Sequence, residues 1–281
     1  MWTAWSWQGS WAQRSAKEVV LSTTTHAPAW SPKCRSLLHL IFNMRLSIIT
    51  INRNDAKGLA RTLNSILPVL ANDVECVVVD GLSSDDSVAV AQRLTAGMNN
   101  VVIKSESDSG IYDAMNKGAR LARGKYLAYV NAGDEVVPEA YRRYLEFMRA
   151  HSADVFYSKT YLRSLEGVNM GVHERHPTQM NQDTIPHLTA AVRRQLFLEQ
   201  GGFDQQYKIS ADREFFIRLK LSNASFLFFD DVVAIFELGG LSSSPRTKVE
   251  NLRIDRKYGF ISSFKYFRRL LKMRLAGQVQ S

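Results

Sequence analysis

From Met44 to Asp134, short apolar-rich runs alternate with stretches whose apolar residues recur at helical spacing, and that order leaves few folds open. Leu46 to Ile51 reads as a buried strand. Asn54-Asp55 offers helix caps, and Gly58 to Leu67 places Leu59, Leu63, Ile66 and Leu67 on one helical face. Val74 to Val79 reads as a second buried strand. Ser83, Ser84, Asp85 and Asp86 cap a helix running to about Ala96, and Val101 to Lys104 gives a third short strand. A helix from Ile111 to Arg123 then leads through a Gly-Lys turn into a buried strand, Tyr126 to Val130. A βαβαβαβ order predicts an α/β fold with a mostly parallel central sheet and helices on both faces. Each strand ends in polar residues: Thr50 to Arg53, Asp80, Glu106 to Gly110, and Asn131 to Asp134. All of these meet on one sheet edge, where open α/β sheets place ligand chemistry.

The second half is less regular. Pro138 to Ala150 and Asp212 to Leu221 read as helices, and Val155 to Arg163 and Ser225 to Ile235 as strand regions. Glu166 to Pro186 is polar and loop-like. Leu188 to Val192 is apolar, and Arg193 to Gln200 is helical and stops at Gly201-Gly202. Gly239 to Pro245 is a Gly/Ser/Pro loop. No internal repeat is visible. Residues 1 to 43 lack periodicity and differ in character from the alternating segments that begin at Met44, so Met44 is expected to be the natural start; the rival reading is a true N-terminal arm. The expected organisation is an extension over 1–43, the α/β domain over 44–245, and a basic amphipathic tail over 246–281.

Charge separates these parts. The net charge is +9 overall, yet Arg246 to Arg274 hold ten Lys/Arg against two Asp/Glu, and residues 1 to 43 carry +3. The body from Met44 to Pro245 is therefore slightly acidic, at −2. A general nucleic-acid surface needs basic residues across the folded body, so no nucleic-acid partner is expected. Two cysteines, Cys34 and Cys76, make no disulfide framework, and a reducing cytoplasm fits. No apolar run reaches the roughly 18 residues needed to cross a bilayer, and the first 30 residues lack the pattern of a signal peptide.

Asp134 just past the strand Tyr126 to Val130 supplies an oxygen ligand suited to a hard divalent cation, which in turn suits a diphosphate. The plainer alternative is that Asn131-Ala132-Gly133-Asp134 is only a turn, since Asn, Gly and Asp are turn residues.

Four segments in order resemble those of family 2 inverting glycosyltransferases of the GT-A, nucleotide-diphospho-sugar transferase, fold. SIITINRNDAKGLARTLNSI resembles the opening strand and helix, and ECVVVDGLSSDDS the second strand and its Asp-Gly turn. DSGIYDAMNKGARLARGKYLAYVNAGD resembles the donor and metal segment, and GGFDQQYKISADREFFIRL the acceptor segment with its catalytic aspartate. The resemblance covers about Met44 to Tyr258. GIYDAMNKG and NAGD are similar to the subgroup of bacterial enzymes that build O-antigen, colanic acid or capsule repeat units.

This resemblance implies roles. Asp80 contacts the uracil or ribose of a nucleotide-sugar donor, with a helix cap for the Ser83 region as its alternative. Thr50, Asn52 and Arg53 line the nucleotide pocket; Arg53 pairs with a diphosphate or is a solvated loop residue. Gly110, Tyr112, Asn116 and Lys117, with Asp108 and Asp113, surround a helix start that attracts anions, although Lys117 also fits a plain surface lysine. The family has two aspartates around the turn where this chain has Asn131 and Asp134. Asn131 is expected on a ribose hydroxyl, and Asp134 on Mg²⁺ or Mn²⁺, a departure that puts the strength of metal binding in question. Asp212 is implied as the general base for the acceptor hydroxyl, against the alternative of a first-turn acid favoured by the helix dipole. His187 resembles a position near donor phosphate or acceptor, and Gly239 to Ser242 a loop that closes over the donor.

In the tail, Phe260, Phe264, Phe267 and Leu271 recur at spacings of four, three and four, flanked by Lys265, Arg268, Arg269 and Lys272. Such a stripe contacts a membrane surface or packs on the domain. The implied enzyme moves a sugar from a UDP-sugar to a saccharide or polyprenyl-linked acceptor at the cytoplasmic face of a bacterial inner membrane. The alternatives are a non-catalytic scaffold of the same fold and a sugar nucleotidyltransferase. The latter calls for a Gly-rich, Arg-bearing loop, which Ile51-Asn52-Arg53-Asn54 lacks.

Overall fold

The computed structural model describes residues 45–164, 166–176, 178, 184–239 and 245–275. The chain divides into Met1–His39, outside the described residues, and Leu40–Ser281, which holds every element below. The first half builds β1 (Leu46–Asn52), α1 (Ala56–Ile66), β2 (Val74–Asp80), α2 (Ser87–Leu94), β3 (Val101–Ser105), α3 (Ile111–Leu121) and β4 (Tyr126–Tyr129). Strands β1 and β2 are buried at every position, as expected of strands covered on both faces. Their side chains alternate between two cores. Ile49, Ile51, Val77 and Val79 pack with Tyr112, Met115 and Ala119 of α3. Ile48, Val74, Cys76 and Val78 pack with Leu59, Leu63 and Ile66 of α1. Each such large aliphatic side chain contributes about 1.5–3 kcal/mol when taken out of water.

Two local devices fix this layout. Asp55 caps α1, accepting the Gly58 N–H at 2.8 Å. On the opposite face, a Cβ at Gly118 would collide with Ile49, so only glycine lets α3 approach β1 this closely. The buried Glu75 of β2 accepts from Ser47 Oγ at 2.6 Å and pairs with Arg123 at 2.7 Å, which ties the end of α3 back to the sheet.

The second half adds β5 (Glu135–Val136), α4 (Pro138–Ala150), β6 (Val155–Arg163), β7 (Asn169–His173), β8 (Ala191–Arg193), α5 (Arg194–Glu199), α6 (Ala211–Leu221), β9 (Phe226–Glu237), α7 (Pro245–Lys257) and α8 (Ser263–Leu275). Sheet order is β3-β2-β1-β4-β8-β6-β9-β5, with β7 on β6. The pairs among β1 to β4 are parallel, as is β6 with β9. The pairs β4–β8, β6–β8, β6–β7 and β5–β9 are antiparallel. The sheet is thus mixed beyond β4.

Two readings need correction. The stretch read as loop over Glu166 to Pro186 contains β7, which is exposed at nearly every position and has no buried face to pattern it. The basic run after residue 245 opens with a helix, α7, whose Val249, Leu252 and Ile254 are buried. Residues 240–244, in the loop read as closing over a donor, lie outside the described residues.

Candidate functional site

Strand order reverses between β1 and β4. The chain leaves β1 toward β2 and β3, then returns to place β4 on the other side of β1. A crevice opens outside the C-terminal ends of strands at such a switch point, and Asn52, Arg53, Asp80 and Asn131 stand there.

Asp80 is almost fully buried. Its Oδ1 accepts from Asn52 Nδ2 (3.0 Å) and Ser83 Oγ (2.5 Å), and its Oδ2 from Ser83 N (2.9 Å) and Ser105 Oγ (2.8 Å). Burial pushes this carboxyl up, but the bonds from Ser83, Asn52 and Ser105 outweigh it and hold the group below its usual value. Its acceptor positions are filled by the protein, so Asp80 braces the turn and caps Ser83. The spare acceptor beside it is Asn52 Oδ1, buried and without a hydrogen-bond partner. Arg53 is exposed and has no hydrogen bond or ion pair among the described residues. A Cβ at Gly81 would meet both Arg53 and Asp108, so these two side chains flank that glycine.

Of three further expected residues, one is enclosed and two are bound to other groups of the protein. Thr50 is fully buried, its hydroxyl beside the Cys76 thiol, which burial pushes up to about 12. Asn116 uses both amide atoms on Phe203, accepting its N–H at 3.0 Å and donating to its carbonyl at 2.9 Å. This corrects its expected place against the donor: it clamps α3 to the Gly201-Gly202-Phe203 turn. Lys117 donates to Ser107 O at 2.5 Å and pairs with Asp113 at 3.2 Å, so it stays at the rim of the Gly110 turn. Gly110 itself, at φ +131°, opens α3, and Asp108 Oδ1 accepts its N–H at 2.9 Å.

Asp212 lies in the first turn of α6 and is held from three directions. Oδ1 accepts the Arg213 N–H at 2.8 Å and lies 3.0 Å from the Tyr112 hydroxyl; Oδ2 lies 3.2 Å from His187 Nδ1. The Tyr112 hydroxyl also lies 2.5 Å from Ile209 O, so its one proton serves either acceptor. Burial, then the Asp212 charge, pushes the phenol far above its usual value. His187 sits in a 3₁₀ turn, His187–Thr189, and its Nε2 lies 3.3 Å from Asn131 Nδ2. Burial pulls the imidazole down, but Asp212 and Asp134 outweigh it and raise it above the usual value.

Asp134 follows β4, and burial pushes its carboxyl up to about 7. Nearby are Glu237, whose N–H lies 3.4 Å from Asp134 Oδ1, and Arg163, which pairs with Glu135 at 2.6 Å and Glu237 at 3.3 Å. Among the described residues no group of three or more His, Cys, Asp or Glu side chains can hold a metal. The residues present still fit a hard cation that brings oxygen ligands of its own. Asp134 is a desolvated carboxyl whose ionised form a cation would favour, and Asn131 Oδ1 is a buried oxygen without a partner.

Sequence reasoning missed Glu250 of α7. Its Oε1 accepts from Lys208 N at 2.9 Å, and its Oε2 from Ile209 N at 2.8 Å and Ser210 N at 2.9 Å. It therefore fixes the backbone that leads into Asp212. The signal available was an acid kept within a basic run, next to the apolar Val249 and Leu252.

The profile of a family described as Glycosyl transferase family 2 matches residues 47–218. A Mycobacterium bovis protein named "PGL/p-HBAD biosynthesis glycosyltransferase" is 31% identical over 204 residues, which is 70% of this chain and 79% of that protein. An uncharacterized glycosyltransferase of Mycobacterium tuberculosis is 30% identical over 190 residues, 63% of this chain and 69% of its own. Among solved structures, S. aureus TarS 1-349 in complex with UDP-GlcNAc superposes with a TM-score of 0.62 at 20% identity, over 75% of this chain and 65% of that one. The Pyrobaculum calidifontis mannosyltransferase PcManGT, in complex with GDP-Man and Mn²⁺, gives 0.61 at 15% identity, over 78% and 65%. The chain thus spans just under two thirds of either solved chain, and the likeness to both is one of fold.

Proposed function

The chain belongs to glycosyl transferase family 2, with an α/β fold of the GT-A kind, and from that premise we propose that it transfers a sugar from a nucleoside-diphosphate sugar, UDP-linked in the first instance, to an acceptor hydroxyl with inversion. The observation that carries this is the setting of Asp212: a carboxylate at a helix start, braced by Tyr112 and the Arg213 N–H, and joined through His187 to Asn131 at the switch-point crevice. A general base must first be within reach and correctly oriented, and His187 and Tyr112 supply the orientation.

In this reading the nucleotide lies across the ends of β1 and β2. Asn52 Oδ1 accepts from a base N–H, and Arg53, free of protein partners among the described residues, meets the diphosphate. Asp134, with Asn131 Oδ1, would hold Mg²⁺ or Mn²⁺, which would neutralise charge on the departing diphosphate. The acceptor oxygen attacks the anomeric carbon, the bond from that carbon to the diphosphate oxygen breaks, and the acceptor proton passes to Asp212. The acceptor is a saccharide, free or carried on a polyprenyl lipid, in bacterial surface-polysaccharide assembly. The tail brings the enzyme to the inner face of the membrane. Support for a nucleotide donor comes from neighbours of the same fold that were solved with UDP, UDP-GlcNAc and GDP-Man.

Thermal stabilisation by UDP-, GDP- and dTDP-sugars, with and without Mg²⁺ or Mn²⁺, tests the reading, because a ligand of the folded state must raise its stability. A cation-dependent shift with one nucleotide class, lost in Asp134→Ala, is the expected result. No shift with any donor, with or without a candidate acceptor present, would leave a scaffold of this fold as the better description.

A further inference from the structure

Apart from Lys257, which pairs with Glu214, the cations of the two C-terminal helices have no ion pair among the described residues. Residues 245–275 contain ten Lys/Arg and two acids, Glu250 and Asp255. Glu250 is buried, while Asp255 lines the groove between the two helices and is neutralised by Arg213. Glu250 is used on three backbone N–H groups, and Asp255 pairs with the buried Arg213 at 2.7 Å. Helix α8 has five basic residues, no acidic residue and no buried residue. One ridge of it is apolar and open to solvent: Phe264 is 76% exposed, Phe267 64%, Leu271 58% and Leu275 80%. Isolated exposed apolar residues are ordinary, whereas a continuous ridge rimmed by charge marks an interaction surface.

Between α7 and α8 runs a groove of about 440 Å³. Lys248 from α7 and Arg269 and Lys272 from α8 line it, with no ion pair among the described residues; Asp255, whose charge Arg213 already meets, is its one acid, and Leu252 and Met273 supply its apolar part. Asn251 Oδ1 in the same groove is buried and has no hydrogen-bond partner.

We propose that this groove binds the phosphate of an anionic glycerophospholipid at a membrane surface, with the Phe264–Leu275 ridge sunk among the acyl chains. Lys248, Arg269 and Lys272 receive the phosphate, and Asn251 Oδ1 accepts from a head-group hydroxyl. A basic amphipathic helix without acidic residues suits an anionic bilayer on both counts, apolar burial and charge. A nucleic-acid partner would use the cations and leave the apolar ridge unexplained. The inference rests on the membrane-facing part of the proposed function and adds a defined lipid site to it.

The test is co-sedimentation of the full chain with vesicles of phosphatidylcholine alone or mixed with phosphatidylglycerol. Arg269→Ala/Lys272→Ala is compared with Arg246→Ala/Arg253→Ala, which removes the same charge outside the groove lining. Wild type is expected on the mixed vesicles only. Diffuse attraction alone, at roughly 1 kcal/mol per basic residue near the surface, accounts for up to about thirtyfold in either variant, so the groove variant should lose clearly more than the control variant. Phe264→Ser/Phe267→Ser should also release the protein. Equal losses in the two charge variants would overturn the groove and leave diffuse attraction. No binding of wild type to mixed vesicles would overturn the membrane reading itself, as would salt-sensitive RNA binding or glycerol 3-phosphate binding through the same residues without vesicle binding. Donor-induced thermal shifts, expected to be unchanged in Arg269→Ala/Lys272→Ala, keep failure here distinct from failure of the transferase reading.

Discussion

His187 places Nδ1 3.2 Å from Asp212 Oδ2, although 25 residues separate them. Its other ring nitrogen lies 3.3 Å from Asn131 Nδ2, so one imidazole connects the first turn of α6 with the end of β4. A carboxylate held on both oxygens cannot swing freely, and a group fixed before reaction needs less reorganisation during it. Asp212 and Asn131 are thus positioned by one shared side chain.

Asp212→Asn should lower kcat by about 10²–10⁴-fold, the usual contribution of a positioned acid–base group. Asparagine keeps an oxygen for the Arg213 N–H, so donor-induced thermal stabilisation should persist. His187→Ala should lower kcat by less, since the carboxylate remains and only its orientation is freed. Donor-dependent nucleotide release measures both variants. Full activity in Asp212→Asn would remove this residue from the base role.

Glu250 acts on Asp212 without touching it. It gathers the N–H groups of Lys208, Ile209 and Ser210, and Ile209 O in turn lies 2.5 Å from the Tyr112 hydroxyl that flanks Asp212. Glu250→Gln leaves one acceptor oxygen for three donors. Stability should fall by about 1–3 kcal/mol, as for buried donors left unmatched. Small displacements at a reacting group can lower rates up to about a hundredfold, so kcat should fall while the donor KM changes little. Equal changes in both constants would mean that Glu250 supports the fold only.

The positions of Asp80, Asp134 and Asp212 were legible in the sequence because each is set by local chain geometry. A strand end, a Gly-containing turn and a helix start declare themselves through apolar runs and caps. What each side chain does there was less legible. Thr50 and Asn52 both lie at the end of β1, yet Thr50 is enclosed beside Cys76, whereas Asn52, the last residue of the strand, turns its amide to Asp80 and Ser83. Asn116 looked like a ligand residue because its segment did, but its partner is Phe203, 87 residues away. Glu250 and the Asp212–His187 contact were invisible for the same reason: they exist only once distant segments have met.

Gly202 sets the partner of Asn116. It has φ +69°, and a Cβ there would lie 2.6 Å from Asn116 Oδ1. Gly201 has a similar φ of +78° but open space around it. Both Gly→Ala changes carry the strain of a left-handed backbone, about 1–3 kcal/mol. Gly202→Ala should be the worse, because it also displaces the clamp on the Phe203 backbone. Urea unfolding of the two variants decides this. Equal losses would mean that the amide clamp adds nothing beyond the backbone strain.

Part of the acid response should trace to Glu214. It is 1% exposed in α6 and accepts from Arg218 at 2.9 Å, Lys257 at 2.7 Å and Tyr258 at 2.5 Å. Burial pushes its carboxyl up, but Arg218, Lys257 and Tyr258 outweigh that and hold it below the usual value. A carboxyl lowered on folding gives its full stabilisation above the unfolded value, about 4.3 for Glu. That contribution is lost as pH falls through the lower folded value. Glu214→Gln keeps the shape and removes the charge, leaving Arg218 and Lys257 enough exposure to be solvated. At pH 7 it should be about 1.5–3 kcal/mol less stable than wild type, the range for hydrogen bonds to charged groups. As pH falls below about 4.3 the gap should narrow, and it should close once the wild-type carboxyl takes up its proton at its lower folded value. Urea midpoints at pH 7 and pH 3 measure the gap. A gap of the same size at both pH values would show that shape, rather than ionisation, is what Glu214 contributes.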